Sequence, residues 1–434
     1  MTIPVWASAE SDSQATEQAM RYLASGDVIL DRQLFLCDIR ATGAHVNGLA
    51  TIGALTNEDA KRVNASLKGL ATEFTDGRFV LDEQYEDGHS AIEAYLTTHL
   101  GDLGKRIHLG RSRNDQALVA TRLFMRESLE RTRASILSCA RAALELAQTH
   151  EMVPMPGYTH LQRAVPSSVG LWMASYAEAF ADDAELIDAT LAWIDRCPLG
   201  TAAGYGVNLP LDREGVAHDL GFARLQLNPM AAQASRGKHE VLALGTLWQA
   251  MQTLRRLGWD LTMFASSEFG FIEMPDAMTT GSSIMPNKRN PDVAELFRAS
   301  AGVVAGAMTE IQQIVSLPSG YHRDLQLTKA PLLRAIRTAQ ESLALAPSLI
   351  QGLRINADRC RAAIDQSMHA TDMTVEMALA GVPFRDAYRK LKDDGVERND
   401  FTPEDSLQAR TSLGASGNLG LDTLRARIDS LTID

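Results

Sequence analysis

Residues 111–153 read RSRNDQALVATRLFMRESLERTRASILSCARAALELAQTHEMV and contain neither glycine nor proline. Apolar side chains recur along this stretch at spacings of three, four and seven residues: Leu118, Met125, Leu129, Ile136, Ala140, Ala143 and Ala147. Such spacing places the apolar side chains on one face of an α-helix. A helix over the whole stretch would be about 65 Å long, far longer than the average globular helix. The stretch therefore predicts a long amphipathic helix and favours an all-α fold.

Four further runs show helical spacing. They are Leu171–Cys197, Lys238–Phe269, Asp292–Leu317 and Leu325–Leu353. Within them, Gly245, Gly302 and Pro331 mark points at which a helix could kink. Five long segments in succession bury their apolar faces best by packing side by side, so we expect a helical bundle.

The flanks of this body predict smaller helical domains. Short helical pieces broken by glycine occupy residues 1–105, and the pattern shortens again after residue 355. We expect an N-terminal helical domain at 1–105, a central long-helix bundle at 106–355 and a small C-terminal helical domain at 356–434. The long helices are rich in alanine and apolar on more than one face, which favours a helical core that several chains share.

The composition argues against several classes of protein and of site. The 434 residues carry a net charge of −12, whereas nucleic-acid binding needs a dense basic surface. There is no apolar stretch of about 18 residues and no signal-peptide pattern, so we expect a soluble intracellular protein without a membrane span. The four cysteines are widely spaced, as in reduced proteins. Without HExxH, EF-hand or glycine-rich phosphate motifs, we expect neither a metal nor a cofactor.

The segment Thr279–Asp292, TTGSSIMPNKRNPD, carries the densest chemistry. Gly281 frees the backbone, Asn290 suits a helix N-cap, and Pro291 suits the first helical position. Read alone, the segment could be a simple connection before a helix. However, it packs hydroxyl, cationic and amide side chains next to helix N–H donors, and such a place can bind anions and lower the pKa of a hydroxyl.

GSSIMPNKRNP within this segment resembles the GSSxMPxKxNP signature of the fumarase/aspartase superfamily, whose members eliminate fumarate from succinyl-type substrates. The resemblance implies that Ser282 is the catalytic base and that Lys288 stabilises the developing negative charge. It also implies that Asn290 holds a substrate carboxylate and that Ser283 assists. The superfamily fold is all-α with three domains, and the resemblance implies a homotetramer in which each active site gathers residues from three chains.

The segment IHLGRSRNDQ resembles the one that separates the argininosuccinate lyase family from fumarases, aspartases and adenylosuccinate lyases. Read physically, its arginines suit carboxylates and its amide suits an amino-acid head group, although a solvated helix start remains the simpler alternative. The resemblance implies substrate contacts for Ser112, Arg113 and Asn114. It also implies a cytoplasmic enzyme of arginine biosynthesis that cleaves argininosuccinate to arginine and fumarate.

Other segments agree with this family. YEDGHSAIE, PGYTHLQRA and GYHRDLQLTK are similar to its further motifs. By position they imply substrate contacts for Asp87, His89, Thr159, Tyr321, Gln326 and Lys329. Arg236, outside these segments, matches a further substrate-binding position of the family. His160 is implied as the residue that helps to protonate the leaving guanidino nitrogen, with Glu295 oriented against it.

Several positions depart from the family pattern. Leu109 stands where a threonine is expected, Asp27 where many members carry serine, and Ser235 where they carry aspartate before the arginine. The loop has Asn287 and Arg289 where glutamine and lysine are common. The first three departures leave the details of substrate recognition open, and the sequence does not decide whether the amino group of the substrate carries an acyl cap.

Alternative functions remain at this point. Another lyase of the superfamily is one, and an inert protein on the same fold, like the lens delta-crystallins, is a second. A regulatory partner in arginine biosynthesis is a third. The presence of Ser282, Lys288, His160 and His89 together favours an active enzyme.

Overall fold

The protein is described here by a computed structural model, which covers residues 18–19, 22–23, 26–396 and 401–432. Its α-helices, numbered along this part of the chain, are α1 Asp27–Asp31, α2 Phe35–Thr51, α3 Asn57–Thr75, α4 Gly88–Leu100, α5 Asp102–Lys105, α6 Arg113–Thr149, α7 Val169–Ile194, α8 Arg213–Asp219, α9 Pro229–Gln233, α10 Lys238–Phe264, α11 Asp292–Ile314, α12 Lys329–Gln351, α13 Ala357–Ala362, α14 Ala370–Leu379, α15 Phe384–Asp394, α16 Pro403–Ala409 and α17 Leu421–Ser430. Short 3₁₀ turns lie at Arg106–His108, Asp276–Met278, Arg323–Thr328 and Gln366–His369. The all-α prediction is confirmed.

The five long helices lie where the apolar spacing predicts them. They are α6, α7, α10, α11 and α12, and their ends differ from the predicted ends by up to five residues. Gly245 and Gly302 lie inside helices, whereas Pro331 lies in the first turn of α12, where a missing N–H costs little. Pro347 lies inside α12 near its end.

The strands are short and pair in twos. They are β1 Pro154–Thr159, β2 Gln162–Ser168, β3 Arg196–Cys197, β4 Arg224–Leu225, β5 Ile272–Glu273, β6 Thr280–Gly281, β7 Arg289–Asn290 and β8 Arg354–Ile355. The pairs β1–β2, β5–β8 and β6–β7 are antiparallel, and β3–β4 is parallel. These ladders fix connections between helices and build no large sheet.

The described chain divides into two compact units. Unit 1 contains the described residues within 1–130, 188–246 and 304–337, and unit 2 those within 131–187, 247–303 and 338–434. Each of the five boundaries along the chain falls inside one of the five long helices. The three predicted domains remain a prediction.

Unit 1 contains two apolar clusters. The first joins α2, α3 and α4 through buried side chains that include Phe35, Leu70 and Leu96. The second joins the other face of α2 to the start of α6, to α8 and to the start of α12, with Leu123, Val216 and Leu333 among its buried members. Together these contacts hold the short helices of the N-terminal segment against the first turns of α6.

Unit 2 contains an aromatic cluster between the β1–β2 hairpin and the end of α10. Phe264 lies 6.4 Å from Tyr158, 5.2 Å from Trp172 and 5.6 Å from Phe271, measured between ring centroids. Phe269 lies 5.6 Å from Tyr158. Aromatic pairs at these separations add to the stabilisation from buried area, so the cluster fixes the hairpin on the helix.

Within the described residues, none of the helices combines the length and the apolarity that crossing a membrane requires.

A close approach of α10 and α11 predicts different effects for two glycines in α10. A Cβ at Gly258 would lie 2.6 Å from the carbonyl oxygen of Ala294, whereas a Cβ at Gly245 would meet only Met308 Sδ at 3.8 Å. Gly258→Ala should therefore lower stability by about 1–3 kcal/mol. Gly245→Ala should be neutral or stabilise by up to about 1 kcal/mol, because alanine is the better helix former. Thermal unfolding of both variants checks this, and equal effects would contradict the close approach.

Candidate active site

The predicted catalytic loop, residues 279–292, stands on a short ladder in unit 2. Thr280 pairs with Asn290 and Gly281 with Arg289. The side chain of Asn290 also donates to Thr280 Oγ1 at 3.3 Å. The loop between the two strands is mostly exposed, and α11 begins at Asp292, directly after it. The ladder thus fixes both ends of a segment whose middle faces solvent.

The hydroxyl oxygen of Ser282 faces backbone donors of its own loop. Ser282 Oγ accepts the N–H of Met285 at 3.2 Å and the N–H of Ile284 at 3.4 Å. Donors aimed at an oxygen stabilise negative charge that develops on it. The Ser282 side chain is half-buried, whereas Ser283 and Lys288 are exposed.

Arg289, the second cationic residue of the predicted loop, has protein partners of its own. Arg289 forms an ion pair with Asp276 and donates to Thr279 Oγ1 at 3.1 Å. Thr280 in turn donates to Asp292, the first residue of α11. These contacts occupy Arg289, which leaves Lys288 as the loop cation that can approach a ligand.

His160 lies at the tip of the β1–β2 hairpin. His160 and Leu161 have φ values of +54° and +58°, and they form the two-residue connection between Thr159 and Gln162, which pair across the hairpin. Two successive positive φ values are typical of a type I′ turn, which suits the twist of the strands but costs non-glycine residues about 1–2 kcal/mol each. Strain of this kind concentrates at functional sites. The turn presents Thr159 and His160 to solvent.

Glu295 lies in the first turn of α11, in the same unit as His160. Its ion-pair partner is Arg298, at 3.9 Å. In the part of the chain that the structure describes, no hydrogen bond joins Glu295 to His160. Their predicted cooperation therefore stays a prediction.

In unit 1, Asp87 caps α4 and contacts Arg113. Asp87 Oδ1 accepts the N–H of Ser90 at 2.7 Å, and the Ser90 hydroxyl accepts the N–H of Asp87. Arg113 Nη1 lies 3.4 Å from Asp87 Oδ2 and 2.6 Å from Glu86 Oε1. Burial would raise the pKa of Asp87, but His89 and Arg113 hold it below its usual range. Asp87 is therefore an anion and orients Arg113.

His89 pairs with the carboxylate of Asp38, a residue that belongs to none of the family motifs. His89 Nδ1 lies 2.5 Å from Asp38 Oδ2, and both side chains are largely buried. Burial alone would lower the pKa of His89, but the carboxylates of Asp38, Asp87 and Asp31 raise it to about 9. The imidazole is therefore a cation at neutral pH.

Two further carboxylates hold the ammonium group of Lys329. Its Nζ lies 2.8 Å from Asp27 Oδ1 and 2.5 Å from Asp31 Oδ1. Burial would lower the pKa of Lys329, but Asp31 and Asp27 raise it. Asp31 Oδ2 also accepts the N–H of Gly88 at 2.9 Å, which links this pair to the start of α4.

These five residues, Asp27, Asp31, Asp38, His89 and Lys329, form the buried charge cluster of unit 1. All except Asp27 line a small pocket with a cavity volume of about 10 Å³. The rest of its wall is apolar and includes Leu34 and Phe35.

Asp115 binds backbone N–H groups of the GRSRN segment and of the loop around Gly200. One carboxylate oxygen accepts the N–H of Ser112 at 2.9 Å, and the other accepts those of Gly200 and Ala202 at 3.0 and 2.8 Å. Ala202 has a φ of +51°, which this bond helps to hold. The Ser112 hydroxyl accepts the N–H of Asn114 at 3.3 Å. Asp115 therefore positions Ser112 and Asn114, both of which are half-buried.

The remaining predicted residues of unit 1 have protein contacts of their own. Gln326 Nε2 donates to the carbonyl oxygen of Leu23 at 2.8 Å. Arg236 is buried and lies near the buried Glu240. Burial raises the pKa of Glu240, and the charge of Arg236 opposes this rise. Tyr321 is half-buried. Their roles in substrate binding stay predictions.

The predicted site residues thus fall into two groups. Unit 1 holds Asp87, His89, Ser112, Arg113, Asn114, Arg236, Tyr321, Gln326 and Lys329, and unit 2 holds Thr159, His160, Ser282, Ser283, Lys288, Asn290 and Glu295. The motifs missed Asp31 and Asp38. With Asp27 these carboxylates are spaced by four and seven residues, so acidic residues at helical spacing in an otherwise apolar segment could have identified them.

Among the described residues, no group of three or more His, Cys, Asp and Glu side chains is arranged to hold a metal ion.

The sequence and the fold match known lyases. A family model described as a lyase matches residues 13–306. An argininosuccinate lyase of Sorangium cellulosum is 52% identical over 429 residues, covering 99% of each chain, and one of Stenotrophomonas maltophilia is 54% identical over 412 residues, covering 95% of this chain and 96% of its own. A solved EDDS lyase in complex with formate has a TM-score of 0.77 at 23% identity, covering 93% of this chain and 86% of its own, which shows a shared fold.

Identity of this extent over nearly the whole length confirms the family that the two loop motifs predict. The chain belongs to the argininosuccinate lyase family of the fumarase/aspartase superfamily, and it is a lyase.

Proposed function

We propose that this lyase cleaves argininosuccinate into arginine and fumarate, reversibly, as a step of arginine biosynthesis in the cytoplasm. The relatives that bear the name argininosuccinate lyase and cover nearly the whole chain support this substrate. The observation that carries the chemistry is the Ser282 hydroxyl oxygen, which lies against two backbone N–H donors in the loop.

Ser282 is proposed as the base that removes the proton from Cβ of the succinate part. That proton is feebly acidic, because its loss places a second negative charge on the adjacent carboxylate. Stabilising this charge is therefore the main requirement of the reaction. The exposed Lys288 is the loop cation that can supply it, while the N–H donors favour the Ser282 alkoxide. Asn290 and Ser283 would hold the substrate carboxylate beside them.

His160 is proposed to help protonate the guanidino nitrogen as the carbon–nitrogen bond breaks. Its position on a strained turn supports a role that requires fixed orientation. Glu295 is proposed to orient His160, either from another chain or after the loop closes over the substrate.

Substitution of Ser282 tests the base. Ser282→Ala should lower kcat by about 10³-fold or more, because the oxygen proposed to take the proton is removed. Substrate binding, measured by calorimetry, should change by less than about threefold, because the mutation removes a transition-state interaction. Ser412→Ala, at an exposed position of the same unit outside the proposed site, is the matched control and should retain full activity. Loss of binding in the Ser282 variant would contradict the role of base.

The charge of His89 predicts a pH-dependent stability. The folded pKa of about 9 lies above the ordinary value of 6.5. The pair therefore stabilises the fold fully below about pH 6.5, and this contribution, on the order of 3 kcal/mol, is lost as pH rises through 9. His89→Gln should remove this loss from unfolding curves recorded between pH 6 and 10, whereas His218→Gln, at an exposed position, should keep it. Identical pH profiles for all three proteins would contradict the His89–Asp38 pair.

We also propose that the protein works as a homotetramer with active sites shared between chains. Apolar side chains stay exposed on the long helices, among them Trp259, Leu296, Val303 and Leu345. Exposed apolar surface of this kind is typical of a surface that another chain covers.

Mixing two inactive variants tests this assembly. Asn114→Ala and Ser282→Ala should each be inactive, and their co-expression should restore a measurable fraction of wild-type activity, since some shared sites would then carry neither mutation. Light scattering should give four times the mass of one chain. A monomeric mass, or a mixture no more active than its parts, would contradict the proposal.

A further inference from the structure

The ladder of the β1–β2 hairpin is irregular between its base and its tip. Its register shifts between Pro156 and Tyr158, so that Gly157 faces two residues of β2. A Cβ at Gly157 would lie 2.9 Å from the carbonyl oxygen of Val165, so the strands approach closely at this point. A bulge of this kind bends the strand and re-aims the residues beyond it. The base of the hairpin alone therefore does not fix the direction of its tip.

The tip also has little packing of its own. Strand β1 is buried at Pro154 and exposed at Thr159, and β2 begins with an exposed Gln162. The turn residues His160 and Leu161 are exposed as well, and both have positive φ values. A strained turn keeps one conformation only when the surrounding structure holds it. The contacts that orient the tip must therefore come from side chains just below the turn.

Arg163 supplies such a contact. It pairs with Tyr158 across the ladder, one step below the turn-flanking pair. Arg163 Nη1 donates to Asp365 Oδ2 at 2.9 Å. Burial raises the pKa of Tyr158, and the nearby guanidinium of Arg163 opposes this rise. Arg163 therefore connects both strands of the tip to a carboxylate that lies outside the hairpin.

Asp365 belongs to a packed part of the C-terminal segment. Its Oδ1 accepts the N–H of Ser367 at 3.0 Å and also the hydroxyl of that residue. The 3₁₀ turn that follows, Gln366–His369, packs against β2 and buries the side chain of His369. The Ser367 hydroxyl and the Arg163 guanidinium hold the pKa of Asp365 below its usual range. Asp365 is therefore an anion with a fixed position.

The Arg163–Asp365 ion pair supplies orientation more than stability. Both side chains are about half exposed, and exposed pairs contribute little to the free energy of unfolding. A proton donor must lie within hydrogen-bond reach of the atom that it protonates. A displacement of about 1 Å, even from a change far from the chemistry, can lower the rate by about 100-fold. A weak contact that fixes the tip can therefore matter for catalysis.

We propose that Arg163 and Asp365 are positioning residues for His160: their ion pair fixes the direction of the hairpin tip and so places the imidazole at the leaving guanidino nitrogen. This inference rests on the proposed function, in which His160 helps to protonate that nitrogen. Glu295 is proposed to act on the imidazole ring itself, whereas the ion pair acts through the backbone of the tip.

A double-mutant cycle in the full-length enzyme tests this, with fumarate release followed by its ultraviolet absorbance. Arg163→Gln should lower kcat by about 10–100-fold, with a smaller change in KM. His160→Asn should lower kcat by about 100-fold or more. Adding Arg163→Gln to His160→Asn should lower kcat by less than about threefold further, because the direction of the tip matters little once the imidazole is absent. Arg389→Gln, which removes an exposed ion pair within α15, is the matched control and should keep full activity.

Thermal unfolding separates positioning from a loss of stability. The melting temperature of Arg163→Gln should fall by less than about 4 °C, because the ion pair is exposed. Asp365→Asn removes the other partner and should give the same loss of kcat, again only while His160 is present. This second variant carries the same test if Arg163→Gln does not fold.

Equal losses of kcat from Arg163→Gln with and without His160 would overturn the inference, since they would show that Arg163 acts independently of the imidazole. Wild-type kcat in both Arg163→Gln and Asp365→Asn would overturn it too. A His160→Asn variant as active as the wild type would instead contradict the proposed role of His160. A wild-type protein that releases no fumarate from argininosuccinate would overturn the proposed function itself.

Discussion

Long helices without internal breaks impose a constraint on everything else in this protein. A helix such as α6, at Arg113–Thr149, carries apolar side chains along its whole length. Neighbouring elements must therefore cover it over that length. The loops and hairpins can then only lie at helix ends. The catalytic loop precedes α11, the β1–β2 hairpin connects α6 to α7, and the GRSRN segment begins α6. The residues proposed for the chemistry therefore lie in segments that connect helices or begin them.

The sequence could predict the helices because their signal is local. Spacing of apolar residues over a few turns is enough to identify α6, and the absence of glycine and proline defines its extent within a few residues. The loop motif was equally readable, because its residues lie together in the chain. Its internal geometry was not, since the N–H donors to Ser282 depend on the path of the backbone between the two strands.

The buried charge cluster could not be predicted from local sequence patterns. Lys329 lies 298 residues from Asp31 along the chain, and no local pattern connects them. Asp38 is buried in the helix α2, whereas its charge in the sequence would suggest a residue on the solvated face of that helix. A carboxylate is identified as functional only once its partners are known, and those partners come from tertiary packing. For the same reason the motif could name His89 but not the carboxylate that keeps it charged.

The catalytic loop has a further consequence, for cleavage by proteases. It is an exposed segment between two short strands that ends with Lys288, and the exposed Arg289 begins the second strand. Exposed loops of this kind are where proteases cut first, because the backbone can enter the protease without unfolding a helix. Trypsin should therefore nick the chain here, next to the proposed base. A substrate that closes the loop would slow the cut, so the rate of nicking reports loop position independently of turnover.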